Sequence, residues 1–281
     1  MVGERIRLHD EDGFEGMRVA GQLAAQTLDY IEGEIIEGRS TADLDQRCSE
    51  FIRDNGGTPA TVGYNGYMHA SCISVNHVVT HGIPSETKRL RAGDILNIDV
   101  TPKIDGWHGD SSRMFIVGRA SRKAERLVAM TYRAMMAGIA AVRPGATLGD
   151  LGAAIEAVGQ EHGLSTVYDF CGHGIGKAFH TAPQILHYGR PGEGVVLEPG
   201  MFFTIEPMFN LGKSDVLILN DGWTTVTRDK SWSAQFEHSI GVTENGNEIF
   251  TSSHSGRHHP LSEEASFHDE LSKKILSEIL D

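Results

Sequence analysis

Cysteine is scarce in this chain: 281 residues carry only Cys48, Cys72 and Cys171. An odd count without framework spacing excludes a disulfide-stapled scaffold and points to a reducing compartment. Long apolar runs are also missing, so no segment has the length to span a bilayer. The first residues, among them Glu4, Arg5, Arg7, Asp10, Glu11 and Asp12, lack the apolar stretch of a signal peptide, and a cytoplasmic location is expected. Basic charge is in deficit. Lys and Arg number 25 against 38 Asp and Glu, a formal charge of −13, which disfavours nucleic acid as the main substrate. At 40% hydrophobic the chain can still bury a sizeable core.

What is present is a repeated pattern. Met17, Ala20, Leu23, Ala24, Leu28, Ile31 and Ile35 recur at helical spacing within residues 14–35, and residues 41–55 read as a second helix ending at Gly56-Gly57. A second helix pair is expected over 121–142 and 148–162, each pair followed by a strand-rich stretch, 62–117 and 166–250. Leu90-x-x-Gly93-x-x-x-x-Ile98-Asp99 matches Leu197-x-x-Gly200-x-x-x-x-Ile205-Glu206 at a shift of 107 positions (206 minus 99). The same shift relates Gly38-x-x-x-x-Asp43-Leu44 to Gly145-x-x-x-x-Asp150-Leu151. Two matches in one register argue for an internal duplication with a site at the seam. His81-Gly82-Ile83 and His173-Gly174-Ile175 add a weaker echo at a shift of 92, which implies 15 extra residues of loop between His173 and Glu206.

Five residues of metal-ligand type, Asp99, Asp110, His173, Glu206 and Glu237, follow one another at separations of 11, 63, 33 and 31. Asp99 ends the apolar run Ile95-Leu96-Asn97-Ile98, and buried acids are rare unless paired or metal-bound. Asp105-Gly106 is a hairpin-turn signal. With those two as central turn residues, Thr101 lies opposite Asp110, and Asp99 is the diagonal same-face neighbour of Asp110. Carboxylates able to bridge, plus one imidazole, suit a binuclear site of Mn, Fe, Co or Zn that polarises a carbonyl and activates water. Cys171-Gly172-His173-Gly174-Ile175-Gly176 does not continue into a phosphate loop, so its glycines are expected to let backbone pass close to a crowded centre. A thiol nucleophile at Cys171 would leave the carboxylates without a role.

The chain resembles the methionine aminopeptidases of bacterial type I. The match rests on Cys72-Ile73-Ser74-Val75-Asn76, His81-Gly82-Ile83-Pro84, Asp94-Ile95-Leu96-Asn97-Ile98-Asp99, Gly109-Asp110, Cys171 to Gly176, Phe203-Thr204-Ile205-Glu206-Pro207 and Ser233-Ala234-Gln235-Phe236-Glu237-His238, in order over roughly residues 12–252. It implies an α+β, duplicated pita-bread fold, a catalytic domain over 1–252, and removal of the initiator methionine from nascent polypeptides with a small second residue. By the same resemblance Asp99 chelates one metal ion, Asp110 and Glu237 bridge two, and His173 and Glu206 hold the other. Glu206 also shuttles the proton, His81 contacts the scissile amide nitrogen, and His180 stabilises the oxyanion. The methionine pocket maps onto Tyr64, Tyr67, Cys72, His81, Phe179 and Trp223, an aromatic cavity suited to a thioether. Asn76 and Ser233 align with a monovalent-cation site.

Two positions depart from the pattern. His77 stands where glutamate is usual, and Thr61 where some members carry cysteine at the pocket rim. No zinc-finger extension precedes the motifs, so any ribosome contact falls to the catalytic domain; a monomer is expected. A second reading, a related X-Pro peptidase, requires a large domain before the first metal aspartate, and only 98 residues precede Asp99. A third, a metal-free binding module, predicts eroded ligands, whereas all five are intact. Residues 253–281 lie beyond the resemblance. His254, His258 and His259 fall in a polar stretch and are expected to be solvated. Phe267, Leu271, Ile275 and Ile279 then recur every fourth residue, an expected short amphipathic helix docked on its own domain.

Overall fold

The computed structural model describes residues 5–260; the expected C-terminal helix lies outside them. Helices α1 (Glu11–Glu32), α2 (Thr41–Asp54), α3 (Arg122–Ala141) and α4 (Leu148–Glu161) form at the places where apolar periodicity puts them. Each starts on a side-chain cap that satisfies an open amide of the first turn: Asp10, Ser40, Ser121 and Thr147 accept from Gly13, Asp43, Ala124 and Asp150. Among the described residues no helix is long and apolar enough to cross a membrane.

The duplication is physical. Helices α2 and α4 are displaced by 107 positions at both ends (148 minus 41, 161 minus 54). Ser40 bridges Arg89 as Thr147 bridges Val196, again 107 apart on both sides. Gly38 donates to the carbonyl of Leu90 at 2.8 Å and Gly145 to that of Leu197 at 2.9 Å. Gly38 and Gly145 have φ of 85° and 83°, Gly93 and Gly200 of 91° and 90°. A left-handed backbone at those four positions is why glycine recurs there.

In the first half, strand Ile95–Val100 lies between Ser71–Val75 and Ser111–Ile116, all antiparallel. In the second, Phe202–Ile205 lies between Gly172–Gly174 and His238–Thr243, extended by Thr181–Ile185 and Gly246–Ile249. Helices α3 and α4 cover the second sheet through Leu127, Met130, Leu151, Ile155, Phe203 and Ile205, and α1 and α2 the first through Leu28, Leu44, Leu96 and Ile98. The halves meet where Ser112 and Glu237 form a β-bridge, so the two central sheets share one edge.

Two expectations need correction. His81 and His173 are not equivalent: His81 follows strand Val78–Thr80, whereas His173 lies in a strand paired to Phe202–Ile205, the place Ser71–Val75 takes in the first half. His259 is not solvated, and His258 is half-buried. The His259 ring stacks on Phe236 at 5.7 Å and meets Tyr132 edge-on at 5.1 Å, because the chain after Phe250 turns back over α1 and α3. There Ser253 and Ser255 donate to the Asp29 carboxylate, and Arg257 reaches Glu32 at 3.2 Å. Residues 253–260 are therefore laid onto the body of the domain.

Candidate metal centre

The Asp105-Gly106 turn places the first two expected ligands. Both residues have positive φ, 48° and 86°, and Ile104 pairs with Trp107 across them. Asp99 then pairs with Ser112, and Thr101 Oγ1 donates to Asp110 Oδ1 at 2.7 Å, the expected register. Asp99 and Asp110 thus project from adjacent strands toward the seam. Glu237 comes from the other half on its bridge to Ser112, where Ser111 Oγ also donates to the Glu237 carbonyl at 2.8 Å.

His173 and Glu206 arrive on paired strands of the second half. Thr204 Oγ1 accepts from the His173 amide at 3.0 Å and donates to Glu206 Oε1 at 2.8 Å, one hydroxyl orienting two ligands. Gln235 Nε2 reaches the other Glu206 oxygen at 3.3 Å, and the Glu206 amide donates to His187 Nε2 at 3.1 Å. Gly172 and Gly174 flank His173 for a steric reason: a Cβ on either would run into the carbonyl oxygen of Thr204 or of Ala182.

The result is a cluster. Ligand atoms of Asp110, His173 and Glu237 all lie within 4.8 Å of one another, and His173 Nε2 is 3.5 Å from Asp110 Oδ2 and 3.7 Å from Glu206 Oε1. All five expected ligand residues line one cavity of about 420 Å³. Burial, then the charges of Asp110 and Glu206, push the Asp99 carboxyl well above the usual range, and Glu237 is raised for the same reasons. Burial drives Glu206 up to about 7, with Asp110 adding to it. For His173, burial is outweighed by its contacts with Asp110 and Glu206, and its pKa rises. Four buried or half-buried carboxylates with one imidazole and no Lys or Arg among them are a donor set that divalent cations neutralise, so the residues fit a metal site.

Every residue expected in the methionine pocket lines that same cavity: Tyr64, Tyr67, Cys72, His81, Phe179 and Trp223. Tyr67 meets Trp223 edge-on at 5.1 Å, and Tyr64 sits 4.9 Å from Phe179. His180 also lines it, its ring 4.1 Å from that of His173. Burial and the neighbouring His173 lower the His180 pKa to about 4, and burial lowers that of His81, so both imidazoles are neutral near pH 7. Cys171 lies at the rim, and burial followed by Glu206 raises its thiol, which counts against a thiolate nucleophile. Asn76 and Ser233 are brought together, Ser233 N donating to the Asn76 carbonyl at 2.8 Å.

Sequence reasoning missed several members. Phe170 and Met208 line the cavity, and Asn97 donates to Ser112 Oγ at 2.9 Å and to the Gln235 carbonyl at 2.8 Å. Thr204 carried a usable signal, since a residue two before Glu206 on a strand shares its face. Phe170 and Met208 carried none, because apolar residues at strand ends are ordinary.

A duplicated α+β body with a carboxylate-rich centre on its seam defines a metal-dependent peptidase, and the chain belongs to metallopeptidase family M24, whose profile matches residues 15–244. It is 53% identical to the methionine aminopeptidase of Rickettsia prowazekii (strain Madrid E) over 88% of this chain and 95% of that protein. With the methionine aminopeptidase of Escherichia coli (strain K12) it shares 48% identity over 88% of this chain and 94% of that protein. The crystal structure of methionine aminopeptidase from Rickettsia prowazekii superposes with a TM-score of 0.87 at 52% identity, covering 88% of this chain and all (100%) of that one.

Proposed function

We infer that this protein is a metallo-aminopeptidase that removes the N-terminal methionine from nascent polypeptides, favouring a small second residue. The observation that carries it is the joining, in one cavity, of a carboxylate-rich centre and an aromatic pocket. Cleavage at X-Pro bonds is less supported, because the relatives matched over nearly their whole length are named methionine aminopeptidases.

Asp99, Asp110, His173, Glu206 and Glu237 would hold two divalent ions, of Mn, Fe, Co or Zn. When bound, such a pair supplies polarisation of the scissile carbonyl and a water ionised near neutral pH. The protein's own groups do the rest. Tyr64, Tyr67, Cys72, His81, Phe179 and Trp223 enclose the methionine side chain, whose sulfur packs well against ring edges. His81 contacts the scissile amide nitrogen. His180, a neutral donor held beside His173, hydrogen-bonds to the oxyanion as charge develops there. Glu206 takes a proton from the attacking water and delivers it to the departing amine. Main-chain carbonyls around Asn76 and Ser233 would accept a monovalent cation. A monomeric cytoplasmic enzyme meeting its substrate at the ribosome fits this reading.

The test is release of methionine from Met-Ala and Met-Gly peptides beside an Ala-Pro peptide, with the protein stripped of metal and then given Mn or Co. Metal-dependent cleavage of the Met peptides alone is expected; cleavage at X-Pro, or silence with two ions bound per chain, overturns the reading.

A further inference from the structure

His108 belongs to none of the groups assigned above, yet it is buried at 6% exposure and makes three contacts with one loop. Its main-chain amide donates to the Gly176 carbonyl at 3.0 Å, and its ring Nδ1 lies 2.8 Å from the same oxygen. A carbonyl oxygen only accepts, so Nδ1 carries the proton, and both bonds from residue 108 converge on one acceptor. The His108 ring also stacks on Phe179, 5.5 Å between centroids and 8° from parallel.

The loop is the connection between strands Gly172–Gly174 and Thr181–Ile185, and it carries Phe179 and His180 into the cavity. Among the described residues the main chain of 177–180 makes no hydrogen bond. The loop is held instead at Gly176, where a Cβ would meet His9 and Trp107, by Lys177 over the Trp107 ring, and by rings: Phe179 on His108 and Tyr64, and His180 against Phe179 at 4.1 Å, Tyr64 and His173.

We propose that His108 is a positioning residue for the reaction, fixing the 176–180 loop so that the His180 imidazole stands where the oxyanion forms. The inference rests on the role read for His180. A donor set on the hairpin that carries Asp110 thereby ties His180 to the metal ligands, and ångström-scale loss of that placement costs turnover more than binding.

Three variants separate the contacts. His108→Phe keeps the stack and loses the ring hydrogen bond; His108→Asn keeps a donor at the Nδ1 position and loses the stack; His108→Ala loses both. With metal-loaded protein and a Met-Ala-Ser peptide, kcat of His108→Ala is expected to fall at least tenfold. Metal stoichiometry should stay within twofold and kcat should fall more than KM rises, since Phe179 also lines the methionine pocket, and His108→Asn or His108→Phe should recover part of the rate. In a His180→Ala background, His108→Ala should add less than a twofold further loss, because a residue acting through His180 has nothing left to position. A wild-type kcat in His108→Ala and His108→Phe, or fully multiplicative losses in the double variant, would overturn the proposal while leaving His180's role standing. Full activity of His180→Ala would overturn the reading of His180, and with it this route.

Discussion

The main chains of Ser112 and Glu237 are hydrogen-bonded in both directions, Glu237 N to Ser112 O at 3.0 Å and Ser112 N to Glu237 O at 3.4 Å. That bridge is one of the joins between the halves, the pairing of Val78–Thr80 with Thr225–Thr227 being another, and it carries a candidate ligand. Cys72, Asp99, Ser112 and Glu237 become consecutive neighbours across three strands and the isolated bridge, so the first half's aspartate and the second half's glutamate point to the same side.

Asn97 reinforces the bridge by donating to Ser112 Oγ and to the Gln235 carbonyl on the other half. Asn97→Ala should leave a buried carbonyl without its partner and cost about 1–3 kcal/mol of stability. Denaturant unfolding of metal-free protein checks this, and a loss below about 0.5 kcal/mol would show that the seam does not depend on Asn97.

Glu206→Gln should abolish turnover while the fold survives. The amide keeps the shape of the side chain but cannot carry the proton. Circular dichroism and methionine release on the same preparation decide it, near-normal turnover with metal present being the adverse result.

Metal removal should make stability fall as pH rises. Burial and mutual repulsion raise Asp99 and Glu237, and bring Glu206 up to about 7, above their unfolded values. The native metal-free state therefore holds protons that the unfolded chain has released, so the Glu206 contribution is complete below about pH 4.5 and is lost through about pH 7, with Asp99 and Glu237 acting in the same direction. Divalent ions replace those protons. The rise in melting temperature on adding Mn should be several degrees larger at about pH 8 than at about pH 5.5, and an equal rise at both would contradict the coupling.

Asp29 accepts from buried Arg113 at 2.8 Å and also from Ser253 and Ser255. Asp29→Ala should strand the Arg113 charge in the interior and release the 253–260 segment, destabilising by about 3 kcal/mol. Hydrogen exchange should quicken in that segment and at the start of strand Ser111–Ile116; unchanged exchange there would mean that the segment is held by the His259 stack alone.

Much of this was legible because it is local or repeated. Helical spacing marked α1 to α4, the Asp105-Gly106 turn set the pairing that brings Asp110 level with Thr101, and the shift of 107 exposed the duplication. The His81 and His173 echo misled because two short His-Gly-Ile strings match by chance, and only strand pairing shows which positions are equivalent. The sequence by itself determined the helices, the duplication, the five candidate ligands and the class of chemistry, since each depends on residue type and on spacing along the chain. Tertiary structure alone decided that one Thr204 hydroxyl serves both His173 and Glu206, that His259 stacks on Phe236, and that His108 grips the loop bearing His180. Those contacts join residues 23 to 68 or more positions apart or turn on a side chain's direction in space, and they exist only once burial has closed the two halves on each other.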